Sequence, residues 1–154
     1  MSVKEEYVKL AKKYKLPSFE ELEKNFQISE IEDSKSRNLL INIRKKMCEK
    51  LNYFMEILKN IVQPDSDSVV LYEASAFSKD EKAQIFNLFK KFMLIKRESL
   101  GLDIESCDEE EAKFISKLYN EWNADKKFLL NVVKRMKEAW LKNGSSNEQL
   151  GYLG

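Results

Sequence analysis

Asp125 is a carboxylate set on an otherwise apolar helical stripe, between Trp122 and Leu129. An acid in such a place can carry a raised pKa and act as a general acid, a general base or a pH switch. Two structural readings compete with that chemistry. In one, Asn123 caps a new helix and Asp125 sits in its first turn, where negative charge suits the helix dipole. In the other, a single long helix runs through, with its seam locally wet or the aspartate paired to a lysine. The structural readings are preferred, because tertiary context usually accounts for an isolated polar residue on a stripe.

The second constellation is basic. Lys90, Lys91, Lys96 and Arg97 flank the apolar face of one segment, and Lys45, Lys46 and Lys50 lie along another. Such groups can contact a phosphate backbone. They can equally form a solvated face that pairs with acidic residues. Lys45, Lys46, Lys90, Lys91 and Arg97 are therefore the candidates for contact with a partner or a nucleic acid. A net charge of +1 gives no global basic field. Aromatic residues interleaved for single-strand stacking are also lacking.

The chain of 154 residues contains no histidine, and that removes several chemistries. A Ser-His-Asp or Cys-His site cannot be assembled from it. Di-iron sites built on Glu-x-x-His pairs, zinc held by two cysteines and two histidines, and histidine-ligated haem all fail for the same reason. Cys48 and Cys107 are far apart and match no metal or redox spacing. No glycine-rich phosphate loop is present. Carboxylate or lysine catalysis stays open in principle, but no residue pair points to it. The expectation is a non-enzymatic protein with no cofactor and no metal.

The elements that must carry these residues are helical. Four Ser/Asp-x-x-Glu signatures mark helix starts: Ser2 with Glu5, Ser18 with Glu21, Ser78 with Glu81, and Asp108 with Glu111. The first helix should run from about Val3 to Lys15, stopped by Leu16-Pro17. A short one should cover Phe19 to Phe26. A long one should span roughly Lys35 to Val62. Val69 to Tyr72 has strand-like composition, yet a lone strand lacks a pairing partner, so a short helix or loop is expected there. Lys79 to about Leu100 should form a helix closed by Gly101. Its wide apolar arc, including Phe86, Phe89, Phe92 and Met93, predicts burial between other helices.

Asp108 to Asn143 reads as one amphipathic pattern, with Ile115, Leu118, Trp122, Leu129, Val132, Met136 and Trp140 on one stripe. Trp122 and Trp140 suit either partner anchoring or core packing, and core packing is preferred. The fold class predicted is all-α, an antiparallel bundle of about four major helices with short accessory ones. Residues 1–143 should form one domain and 144–154 a flexible tail, whose tip, Leu150, Tyr152 and Leu153, is a candidate contact. No run is long and apolar enough for a membrane span, and no secretory signal is seen, so the expected setting is cytoplasmic.

The long helices offer more apolar stripe than two short N-terminal helices can cover. A surplus of that kind marks a partner. The leading expectation is a helical interaction module, a homodimer or a subunit of a larger assembly. The alternative is a nucleic-acid-associated protein using its Lys/Arg helix faces.

Overall fold

A computed structural model of the chain describes residues 2–32 and 36–142. Among them the structure is all-α, with six α-helices and one short 3-10 turn. The helices are α1 (Val3–Tyr14), α2 (Phe19–Phe26), α3 (Ser36–Val62), α4 (Ser68–Ala74), α5 (Lys79–Ile104) and α6 (Asp108–Leu141). Three of them are long, at 27, 26 and 34 residues. The chain divides into two compact units, Met1–Tyr53 with Leu94–Asn123, and Phe54–Met93 with Ala124–Gly154. The tail residues Leu150, Tyr152 and Leu153 lie outside the described residues.

The helix starts follow from their caps. Ser2 Oγ accepts from the Glu5 N–H at 3.2 Å. At α2 the box is reciprocal: Ser18 Oγ accepts from the Glu21 N–H, and Glu21 accepts from the Ser18 N–H. Ser78 and Glu81 repeat it at α5. Each box satisfies backbone donors that have no partner within the helix. Asp67 caps α4 by accepting from the Val69 and Val70 N–H groups, which turns the strand-like Val69–Tyr72 run into helix. α1 and α2 both end on a left-handed residue that is not glycine, Lys15 and Gln27.

In the first unit the buried side chains include Tyr7, Leu22, Phe26, Leu40, Ile43, Met47, Leu51, Ile115, Leu118 and Trp122. The Tyr7 hydroxyl donates to the Pro17 carbonyl, and burial pushes its pKa above the ordinary tyrosine value. Trp122 packs against Phe26 with ring centroids 5.7 Å apart. Lys50 Nζ lies over both rings and donates to the Asn25 carbonyl. A cation on two aromatic faces covers the edge of this core while keeping its charge.

In the second unit the buried set includes Met55, Leu58, Ile61, Phe77, Ile85, Leu88, Phe92, Leu129, Val132 and Ala139. Arg135 joins α6 to the start of α5 there. Its Nη1 lies 2.5 Å from Glu81 Oε2, its Nη2 donates to the Ala76 carbonyl, and the guanidinium covers the Phe77 ring.

Three local expectations are corrected and one open alternative is decided. α6 takes the single-helix reading, with its aspartate paired to a lysine, and is continuous from Asp108 to Leu141. Trp122 and Leu129 are both buried on either side of the suspected break, and Asp125 pairs with Lys91 at 2.7 Å. α5 does not stop at Gly101 but continues to Ile104, because Ser99 and Asp103, one turn apart, both bind Arg44. The Asp108–Glu111 signature is not a capping box, since Glu111 turns inward to Arg44. The broad apolar arc of α5 is not buried all round: Ile85, Leu88, Phe92 and Ile95 are buried, while Phe86, Leu94 and Leu100 are exposed.

Candidate docking surface

The most buried polar constellation lies in the first unit and is closed. Arg44 Nε reaches Glu111 Oε2 at 2.6 Å, and Nη2 reaches Glu111 Oε1 at 3.2 Å and Asp103 Oδ1 at 2.8 Å. Nη1 donates to both the carbonyl and the hydroxyl of Ser99, at 3.0 and 2.7 Å. All five guanidinium donors are thus used. Ser106 Oγ donates at 2.9 Å to Glu111 Oε1, the oxygen that also accepts from Nη2. Burial lowers the Arg44 pKa, but the hydrogen bonds it donates to Glu111 and Asp103 outweigh it and hold the group above its ordinary value. Cys48 lies in the same surroundings, where burial pushes its thiol pKa up. This cluster fastens α3, α5 and α6, and the Arg44 guanidinium is used up within it. Among the described residues no group of three or more His, Cys, Asp or Glu could hold a metal ion.

A cleft of about 430 Å³ in the same unit lies along the end of α5 and the start of α6. Leu102 and Phe114 line it, with Glu105, Lys113 and the ion pair Lys117–Glu98 at its rim. Opposite charges alternate there, and two of them already neutralise each other.

The open surface with a single chemical character is on α6 in the second unit. Leu129, Val132 and Ala139 are buried, and Arg135 is tied to Glu81, so the rotation of this half-helix is fixed. At 100° per residue, Lys126, Lys127, Leu130, Val133, Lys134, Lys137, Trp140 and Leu141 fall within an arc of about 140°. No carboxylate shares that arc. Leu130 and Leu141 are 64% and 65% exposed, and Val133 and Trp140 are each 42% exposed. Lys127, Lys134 and Lys137 are exposed and Lys126 is half-buried. None of the four lysines has an ion-pair partner among the described residues.

Trp140 departs from the core position expected of it and stands at the edge of this face. Its ring packs on Tyr72, centroids 4.5 Å apart, and its Nε1 donates to Glu73 Oε2 at 2.8 Å. The Tyr72 hydroxyl in turn donates to the Ala139 carbonyl. The indole is held in one place while part of it faces solvent, which suits an aromatic anchor.

The cations singled out from sequence are divided. Lys45, Lys46 and Arg97 belong to the first unit, and Lys90 and Lys91 to the second. Lys46 is held by Glu30 at 2.6 Å, and that hydrogen bond raises its pKa. Lys91 is held by Asp125. Lys90 lies over the Phe86 ring at 5.2 Å. Lys45 and Arg97 are exposed. Sequence reading missed Leu130, Val133 and Leu141 as surface residues. The signal was present as three apolar doublets, Leu129-Leu130, Val132-Val133 and Trp140-Leu141. A doublet places side chains about 100° apart, so such a series draws two stripes where a core needs one.

Compared with known proteins, the chain matches no protein family, no curated protein and no solved structure.

Proposed function

We propose that this protein is a helical protein-interaction module that docks a partner on the α6 face between Lys126 and Leu141. The observation carrying this reading is the group of four exposed apolar side chains, Leu130, Val133, Trp140 and Leu141, on one face of a rigid helix. Solvent-facing apolar residues grouped in this way offer buried area to a partner. Helix-in-groove and helix-on-helix contacts are built from anchors at such spacing. The lysines among them set orientation and encounter rate more than raw affinity.

The test compares the full chain with a Leu130→Ser/Val133→Ser/Leu141→Ser variant as baits in extracts of the native host, after nuclease treatment. Circular dichroism first establishes that the variant keeps its helices. A protein retained by the original chain and lost by the variant supports the reading. Identical retention by both overturns it.

A nucleic-acid role is the second reading, favoured by four lysines that have no ion-pair partner among the described residues. In that case the captured material disappears on nuclease treatment, and binding weakens steeply with salt. No helix among the described residues is long and apolar enough to cross a membrane.

A further inference from the structure

We infer that the partner of the α6 face is an amphipathic helix carrying carboxylates, and not a second copy of this face; this rests on the docking reading above. The charge of the face decides the point. Four lysine ammonium groups stand among the apolar side chains; the nearest carboxylates, Glu138 about 20° beyond Lys127 around the helix and Glu73 on Trp140 Nε1, lie only at the edges of the face. A two-fold dimer through this patch would set the same surface against itself. It would bring the lysines of both copies together in a partly dehydrated interface, where like charges repel strongly.

The layout of the face narrows the partner further. Viewed down α6, Leu130 and Leu141 form one apolar column, and Val133 and Trp140 form another. Lys126 and Lys137 lie between the two columns, and Lys127 and Lys134 lie beyond the first. Lys127 and Lys134 are seven residues apart, about 10 Å along the axis. A helix packed nearly in line keeps contact over that distance, and its own residues repeat at the same seven-residue interval. Carboxylates seven residues apart on the partner would meet both ammonium groups while its apolar stripe covers Leu130 and Leu141. A lipid surface fits less well, because interfacial helices segregate apolar and basic faces. Here a lysine column separates the apolar ones. A single nucleic-acid strand would look for free aromatic faces, and the Trp140 ring is already packed on Tyr72.

The test is selection of a displayed library of amphipathic helical peptides, with flanking positions varied among Glu, Lys and Gln, against the full-length protein. Enriched peptides should carry Glu at seven-residue spacing beside an apolar stripe. Synthetic versions should lose about tenfold in affinity for a Lys127→Glu/Lys134→Glu variant, the order expected when two surface ion pairs are lost. Their binding should also weaken as salt is raised. Enrichment of Gln-flanked peptides that still require Leu130 would overturn the charge inference and leave the docking reading standing. Peptides indifferent to both the leucine and lysine variants would overturn both. Binding of phosphatidylserine vesicles or single-stranded RNA, lost in the lysine variant and with no acidic peptide enriched, would replace the helix by that ligand.

Discussion

Arg44 and Glu111, 67 positions apart in sequence, meet as a two-pronged pair in which both side chains are almost fully buried. The pair replaces water at both charges with fixed hydrogen bonds, so its cost appears only when one member is removed. Arg44→Met should therefore destabilise the protein by about 3–5 kcal/mol, because Glu111 is left charged and enclosed. Arg44→Met/Glu111→Leu should recover much of that loss. Urea denaturation of the two variants checks this. A double variant no more stable than the single one would refute the account.

Gly101 is an exposed glycine inside α5, and a Cβ added there meets nothing within 4 Å. Glycine in a helix interior costs roughly 0.5–1 kcal/mol relative to alanine. Gly101→Ala should raise stability by about that amount, read as an upward shift in denaturation midpoint with an unchanged slope. A lower midpoint would mean that this end of α5 is not helical in solution.

Glu81 links pH to stability in the second unit. The Ser78 N–H, with smaller contributions from its hydroxyl and from Arg135, holds the Glu81 carboxylate below its ordinary value of 4.5. A lowered folded-state pKa stabilises the protein above the unfolded value, and the contribution is lost as pH falls through the folded value. Glu81→Gln should be less stable than the original chain near neutrality. The gap should close as the pH is taken below the ordinary carboxylate value of 4.5 and on through the lowered one. Melting curves across that range, with the gap persisting unchanged, would exclude this role.

The two thiols should differ in reactivity. Cys107 is exposed, whereas Cys48 is half-buried and burial raises its pKa. Alkylating reagents attack the thiolate. Mass spectrometry after brief iodoacetamide treatment at neutral pH should find one label, on Cys107. Cys48 should label only once the protein is unfolded, and equal rates at both sites would contradict the structure.

Much of the architecture was legible because it is local. Ser18, Ser78 and the helical periodicity act through residues three or four positions away, and the helices they predict are present. What escaped was decided at long range. Glu111 has the spacing of a capping residue, and only its meeting with Arg44 turns it inward. Asp125 seemed discordant until Lys91 supplied its counter-charge. The candidate face was hidden for a related reason. Leu130 and Val133 are as apolar as Leu129 and Val132, and sequence does not say which member of each doublet the core will take.

The lysine face of α6 also has a consequence for covalent modification. Lys127, Lys134 and Lys137 are exposed, and acetylation of such amines would remove their charge while leaving Leu130, Val133 and Leu141 as they are. The apolar columns would then be kept and the electrostatic guidance lost, so one chemical event could retune the choice of partner without touching the fold.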